Sequence, residues 1–524
     1  MKKILMTLGA CGLLMTGCVD LDQEPLSFPT PENIDKTPEN VESMLNGLYT
    51  NLWYDNYGYN CRTVLMGLGA DDIATGSLGK RHANIDALYV RAGEVATSQS
   101  GSNDSEYLWQ NFYTVIQSAN QWIEGIEGSV DLTEEEKAPY IAEARFFRAF
   151  AHFNLIRWFG DVPAFTNSLC TTDAWGNAVI TRNPQEDIYN DVIIPDLQYA
   201  EAYLPDRDDA NNRASGKNSR VNKWAAKACL IDVYMTMAGW PLHQTDKWAL
   251  ARDKAWEFIQ QSPYELVDHY EDLWKEADKD DGTEHIFALN HSTVQNMASN
   301  YGRSYFLEEE GGWADYAGDS CFYEMYPDDE RKEFNYVTDF VINRRPVNFR
   351  QLTMRSPAIN KYRDYGGVSS AQSNGITPIY RYAQVLLMYA EAQNEADGAP
   401  NQNAFDCLND VRRRAAIDKS AYQEITAADL TGNAQEQFRQ LVFDENGWEF
   451  FAEFKRWFQL QRTERIYDVN HGYTDAFGVQ REANPRVRES MDRFGIDRNN
   501  RQIYLMPLPS REVMDCGFTQ NPSF

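Results

Sequence analysis

Residues Tyr140 to Pro163 read YIAEARFFRAFAHFNLIRWFGDVP, and this stretch decides the fold class. At about 100° per residue its polar side chains fall into two narrow stripes on opposite sides of a helix. Arg145, Arg148 and His152 form one stripe, and Glu143, Asn154 and Arg157 form the other. Between them run two apolar flanks, Ala142, Phe146, Ala149 and Phe153 on one side and Ala144, Phe147, Ala151, Leu155 and Trp158 on the other. A surface helix needs one apolar face; two predict a helix gripped from both sides. Alternating Ala with Phe lets neighbouring helices approach closely, as stacked helical repeats require. A buried helix in an ordinary all-α domain is the alternative this pattern leaves open. Gly160-Asp161-Val162-Pro163 supplies a glycine stop and a proline that cannot continue the helix.

Outward from this stretch, other segments carry helical periodicity. They are 39–55, with Gly47 read as allowing close approach, 104–127, about 185–203 with Pro195 expected to kink or break it, 221–239 and 247–261. Asp131 to Glu136 provides an N-cap and first-turn acids for the quoted helix. Periodicity is lost over 56–103 and again over about 263–377, apart from strand-like pieces at His285–Leu289 and Tyr336–Ile342. It returns at 378–396, with Pro378 at the helix start, at 402–416 and at about 434–465. The end, Ile503 to Pro509, is extended and proline-rich.

The chain has 524 residues, 43% hydrophobic and 24% charged, which is globular and suited to one large composite fold or two to three domains. Its formal net charge of −29 repels phosphate backbones, so nucleic acid is excluded as partner, and neutral ligands or a protein partner fit better. The aromatic share of 13%, with 29 Tyr, exceeds what core packing uses and points to a binding surface. Eight cysteines are scattered without a CxxC or zinc spacing. Six of them, outside the leader, read as small buried residues more than as a disulfide framework.

Met1-Lys2-Lys3 followed by a short apolar run to Met15 reads as a signal peptide, too short to span a bilayer. Leu14-Met15-Thr16-Gly17-Cys18 resembles a lipobox, with Cys18 as the lipid attachment site. Acyl chains at roughly 0.8 kcal/mol per buried CH₂ anchor a protein without a span. The acidic, proline-punctuated segment that follows reads as a tether; some twenty residues at roughly 5–6 Å × √n reach about 25 Å.

These motifs, taken together, resemble the SusD/RagB-type nutrient-binding lipoproteins of Bacteroidota. After the lipobox come Asn46-Gly47-Leu48-Tyr49, similar to a first-helix G-x-Y, and the quoted stretch itself. Tyr380–Glu391 (YRYAQVLLMYAE) follows the family's R-Y-A-E-V-L-L-x-Y-A-E, with Gln384 where Glu is usual, and Leu408–Arg414 (LNDVRRR) follows the next helix. Glu445, Glu449, Glu453, Arg456 and Arg462 keep a further motif, which departs at Asn446, Phe454 and Gln459 and so puts local ion pairs in doubt. Pro507 and Pro509 keep a P-x-P. The resemblance covers essentially the whole chain.

It implies a mainly α fold: four tetratricopeptide-like helix pairs carrying an irregular loop-rich ligand-binding region and a few short strands. The expected division is signal peptide 1–17, lipidated tether 18–38, N-terminal helical region 39–262, and C-terminal region 263–524 with ligand loops 263–377, helices 378–465 and an extended tail. It also implies an outer-membrane, outward-facing, lipid-anchored protein whose partner is a SusC-like TonB-dependent transporter and whose usual ligand is a glycan. A peptide-binding lipoprotein with the same kind of transporter and a surface glycoside hydrolase are the alternatives. Within this frame Arg145, Arg148, His152 and Arg157 read as scaffold pairing or transporter-facing contacts.

Catalysis finds no motif: HExxH, GxSxG and Walker A are absent. No cofactor is expected. DKDDGTEH at 278–285 fails as an EF-hand, because Gly282 at loop position six puts Ala277 at position one and Ala288 at position twelve. It is read as a solvated turn, with an irregular structural Ca²⁺ site as the alternative. The segment Asn300–Tyr326 is the candidate ligand surface: Tyr301, Tyr305, Trp313 and Tyr316 stand among glycines without helical period. Sugar rings stack their C–H faces on aromatic rings, and rigid aromatics cost little entropy on binding. Trp313, flanked by Gly311 and Gly312, is the first choice because glycines let backbone and ligand approach. The second candidate is 72–103, with Arg81, His82, Tyr89 and Arg91. Phe322, Tyr323 and Tyr326 are read as structural.

Overall fold

The structure, a computed structural model, describes residues 37–58, 70–75, 104–168, 179–210, 212–295, 297–299, 301–363, 373–482, 488, 492, 497–499 and 501–522. The scaffold is a series of helices packed side by side in chain order. They are α1 (Pro38–Leu52), α2 (Asp104–Glu127), α3 (Glu134–Phe159), α4 (Ile194–Tyr203), α5 (Lys223–Ala238), α6 (Lys247–Gln261), α7 (Tyr382–Asp397), α8 (Gln402–Ala415) and α9 (Ala434–Glu449). Between α6 and α7 the chain leaves for about 120 residues, yet the two helices pack on each other as closely as sequence neighbours do. The excursion is therefore an insertion into a helix-pair stack, and it is where the loops that could meet a ligand are built.

Helix α3 contains the quoted stretch and starts with a reciprocal capping box, Thr133 with Glu136. It ends at Gly160, whose φ of +77° and contact with Leu505 leave no room for a side chain: a Cβ there would lie 2.8 Å from Leu505 Cδ1. Both apolar flanks are buried, as two-sided packing requires. The polar stripes turn out to be clamps between helices. Arg148 forks onto Asp196 of α4 at 2.7 and 2.8 Å. Glu143 accepts from the Tyr49 hydroxyl of α1 at 2.7 Å and pairs with Arg213 and Arg220 at 2.6 and 2.8 Å. Arg157 reaches Asp232 of α5 at 3.5 Å and lies over the rings of Phe153 and Phe458. His152 is sealed inside; burial pushes its pKa down to about 4, so it is neutral, and its Nδ1–H donates to the Arg148 carbonyl at 2.9 Å. Arg148 and His152 are thus scaffold residues.

Pro195 is accommodated by a wide π-type turn, Tyr189–Ile193, immediately before α4, which is the break expected around it. Gly47 differs from expectation. A Cβ there would meet nothing within 4 Å, so it serves no close approach in α1. Pro378 also differs: it lies in strand Ile376–Arg381, which pairs antiparallel with His285–Asn290 and closes the base of the insertion; α7 begins only at Tyr382. A two-stranded sheet has an outer edge where a missing N–H is tolerated, so proline can sit there.

The run 434–465 is not one helix. It breaks after Glu449, with Ala452 (φ 58°) and Phe454 (φ 63°) in the left-handed region, and resumes at Arg456. The carbonyls freed by the break are claimed from elsewhere. Tyr270 Oη–H donates to Glu449 O, Lys361 Nζ to Phe451 O and Tyr362 Oη–H to Ala452 O, at 3.2, 2.6 and 2.9 Å. Tertiary bonds here outbid helix propensity.

Numbered in chain order, the short strands among the described residues are β1 (Ile73–Thr75), β2 (His285–Asn290), β3 (Tyr316–Gly318), β4 (Tyr336–Val337), β5 (Asp339–Ile342), β6 (Arg345–Asn348), β7 (Ala358–Ile359), β8 (Ile376–Arg381), β9 (Tyr473–Thr474) and β10 (Gln480–Arg481). β1 pairs with β3, β4 with β7, and β5 with β6 as a hairpin turning at Asn343-Arg344, both at positive φ. One continuous core runs from Val41 to Phe518, so the helices on either side of residue 262 share it. A small second core of Leu307, Phe340, Phe349, Leu352 and Ala358 fastens the hairpin to the 301–315 loop. Cys229, Cys321, Cys407 and Cys516 are free thiols, the first and third buried.

Candidate functional site

Trp313 sits at the crest of a loop that leaves a short helical turn at Tyr301–Ser304 and enters β3. The loop is latched by its own backbone. Trp313 N–H donates to Arg303 O and Asp315 N–H to Ser304 O, both at 2.9 Å, and Ala314 N–H donates to Phe306 O at 2.8 Å. Ser304 Oγ–H adds a bond to Asp315 Oδ2 at 2.8 Å, and Glu310 turns back to accept from Leu307 N–H at 3.1 Å. Gly311 adopts φ +86°, which disfavours any side chain there. Gly312 must also be glycine, since a Cβ would fall 2.1 Å from Phe306 O. The space that Gly312 vacates is filled by the loop's own backbone, not by a ligand as first expected. The effect is to make the loop stiff.

On this stiff loop the Trp313 side chain is 37% exposed, and the Arg303 guanidinium lies 5.7 Å from the centroid of its ring. An indole face fixed at the surface beside a cationic donor can stack on the apolar face of a sugar ring and hydrogen-bond its rim oxygens. Sequence reasoning did not single out Arg303, because nothing local distinguishes it; only the fold of the loop brings it over Trp313.

The other tyrosines expected there do different work. Tyr305 and Tyr316 are buried, their ring centroids 5.2 Å apart, and Tyr305 also packs against Tyr362 at 4.9 Å. They pack the loop onto the insertion and are no stacking surface. All of β3 is buried, Tyr316 with it, whereas Trp313 precedes the strand. Tyr301 lies in the short helical turn, and its side chain is outside the described residues, as are Arg81, Tyr89 and Cys18. Phe322 and Tyr326 are buried and Tyr323 half-buried, in a cluster with Tyr336 and Phe451.

Beneath the loop, the β1–β3 pair joins the two stretches that the sequence marked as ligand-contact candidates, Ile73 opposite Gly318 and Thr75 opposite Tyr316. Asp71 and Asp72 root β1 in the scaffold. Asp71 forks onto Arg456 at 2.6 and 2.8 Å, and Asp72 Oδ2 accepts from Ala452 N–H at 3.1 Å. Burial, with the Asp71 charge beside it, pushes the Asp72 carboxyl up to about 7. The folded protein therefore holds this proton more tightly than the unfolded chain, and the Asp72 contribution to stability falls as pH rises from about 4 to about 7. We expect Asp72→Asn to unfold at a higher temperature than the parent at pH 8, the gap narrowing towards pH 4. Thermal melts across that range check it, and a gap that widens on acidification contradicts it.

Three other hollows are formed by described residues. A cleft of about 450 Å³ lies along α2 between Trp109, Tyr113, Phe165 and Ile180. An acidic one of about 440 Å³ runs from Glu265 to His285. A cavity of about 100 Å³ lies between Asp232, Tyr380 and Lys455. In the 278–285 turn, Asp281 accepts from Thr283 N–H at 3.0 Å and Asp280 pairs with Lys217. Among the described residues no group of three His, Cys, Asp or Glu is placed to hold a metal ion.

Comparison with known proteins adds to this geometry. A family model described as the SusD family matches residues 198–524, and a second, described as "Starch-binding associating with outer membrane", matches residues 21–235. The SusD-like protein P2 of Formosa agariphila is 26% identical over 538 aligned residues, which cover 98% of this chain and 98% of that protein. Among solved structures, a SusD homolog from Bacteroides thetaiotaomicron superposes with a TM-score of 0.76 at 22% identity, covering 94% of this chain and 98% of its own. A laminarin-binding SusD-like protein superposes with a TM-score of 0.69 at 19% identity, covering 93% and 99%. These superpositions establish the shared helical fold.

Proposed function

This chain belongs to the SusD family, and from that premise we propose that it is a carbohydrate-binding protein of the outer membrane, without catalytic activity of its own, that captures a glycan at the cell surface and passes it to a SusC-like TonB-dependent transporter. The observation that carries the binding role is Trp313, an exposed indole held on a backbone-latched loop with Arg303 beside it. The description of the N-terminal family model and the laminarin binding of one structural neighbour support carbohydrate as the ligand class. For membrane attachment the support is the lipobox-like run before Cys18; no helix among the described residues is long and apolar enough to cross a membrane.

A glycan array followed by calorimetry on the soluble form lacking residues 1–18 tests the binding role. Truncating a Trp at the centre of a contact costs about 2 kcal/mol or more, roughly 30-fold in affinity. Trp313→Ala is therefore expected to weaken glycan binding by about that factor with its melting temperature unchanged, and undiminished affinity removes Trp313 from the site. Binding of peptides in place of glycans redirects the ligand class, and hydrolysis of a bound glycan revives an enzymatic role. Cys18→Ala is expected to leave the protein in the soluble periplasmic fraction; a variant still sedimenting with membranes refutes the lipid anchor.

A further inference from the structure

Resting on the reading of the Trp313 surface as the glycan platform, we infer that the glycan it selects is anionic, bearing carboxylate or sulfate groups. The reason is a set of arginines that no carboxylate partners, in a chain where acids are in excess. With a net charge of −29, carboxylates are in excess everywhere, and arginines in the scaffold are taken by them, as Arg148 is by Asp196 and Arg456 by Asp71. Four arginines of the insertion depart from this rule. Arg303, Arg344, Arg345 and Arg355 make no ion pair among the described residues. Arg303 is half-buried over Trp313 and its Nε–H finds no acceptor there; Arg344, Arg345 and Arg355 are exposed.

Their loops are fastened to one another, because the hairpin that carries Arg344 and Arg345 and the segment before Arg355 share the small core with Leu307 of the Trp313 loop. Acids of the insertion are already engaged. Glu310 pairs with Arg363, Glu309 accepts from Thr353 N–H, Asp315 holds Ser304, and Glu324 pairs with Arg350. What remains to meet a ligand is an indole face with the Arg303 guanidinium beside it, and three exposed guanidinium forks on loops fastened to the same small core. A fork matches the two oxygens of a carboxylate or sulfate better than it matches a lone hydroxyl. A neutral sugar would bring no charge to the half-buried Arg303 guanidinium.

Calorimetry on the form lacking residues 1–18 decides, with two matched pairs of probes: polygalacturonate against the same polymer with its carboxyls reduced, and dextran sulfate against dextran. The expected result is at least tenfold tighter binding to the charged member of one pair, the pair showing it naming the acid. That preference should shrink at least fivefold in Arg303→Gln and lessen as salt rises from 50 to 500 mM. Arg344→Gln/Arg345→Gln, on an exposed turn that tolerates the change, should lower the preference too and guards against a folding defect in Arg303→Gln. Binding to charged and neutral members that is equal, yet lost in Trp313→Ala, overturns the anion preference and leaves the platform standing. Charged-glycan binding that survives Trp313→Ala, Arg303→Gln and the hairpin variant overturns both.

Discussion

Replacing Arg381 with Met should unfold this protein or lower its stability by on the order of 3–5 kcal/mol, the range for removing one partner of a buried ionic cluster. Arg381 is fully buried at the end of β8. Its guanidinium meets Glu453 at 2.8 and 3.0 Å, Glu284 at 2.6 Å and Glu449 at 2.9 Å, and donates to the Glu449 carbonyl at 3.2 Å. Arg331 and Arg414 also reach Glu449, and Lys361 reaches Glu453 at 2.9 Å. Burial alone would raise the Glu453 carboxyl, but Arg381 and Lys361 outweigh it and hold it down at about 2; the arginines around Glu449 lower it in the same way. Take Arg381 away and three buried carboxylates lose their shared cation. Lysine is no substitute, because it cannot fork to several carboxylates at once. The control is Arg439→Ala, whose pair with Glu395 is partly exposed and worth less than about 1 kcal/mol. Urea denaturation of both variants checks the contrast, and an Arg381→Met midpoint equal to the parent's refutes it.

The second large effect is expected from a single methyl group. Gly312→Ala places a Cβ 2.1 Å from Phe306 O and 2.4 Å from Phe306 Cβ. The oxygen belongs to the backbone and cannot rotate away, and it is the same oxygen that accepts from Ala314 N–H. The loop must open, and Trp313 moves with it. Glycan affinity should then fall at least as far as in Trp313→Ala, while overpacking costs about 1–3 kcal/mol of stability, leaving the protein folded. Gly47→Ala is the matched control: its Cβ meets nothing within 4 Å in the middle of α1, so melting should hold or rise slightly. Gly312→Ala with full affinity would mean that loop stiffness is irrelevant to binding.

Much of the scaffold was legible because its signals are local. The Thr133–Glu136 box, the two apolar flanks of α3 and the Gly160 stop each lie within a few residues of the structure they specify. The long break at 450–455 was not, since tertiary partners more than 80 residues away, Lys361, Tyr362 and Tyr270, draw the carbonyls out of the helix. For the same reason Pro378 was read as a helix start: its pairing partner, Ala288, is 90 positions earlier in the chain. The glutamates of the 445–453 motif were legible as scaffold, but not the arginines that they answer.

By itself, then, the sequence determined the helix-pair class and the family, because periodicity, caps and motifs are written in contiguous residues, and it singled out Trp313 as a candidate. Only the tertiary structure decided which aromatics face outward. Tyr305 and Tyr316 carry the same sequence signal as Trp313, yet burial consumes them, Tyr305 against Tyr362 and Tyr316 against Tyr305. It also decided which charges stay unanswered, placing Arg303 over Trp313 while pairing nearly every scaffold arginine with an acid. Exposure and ion pairing depend on what the rest of the chain brings to a residue, and no local pattern records that.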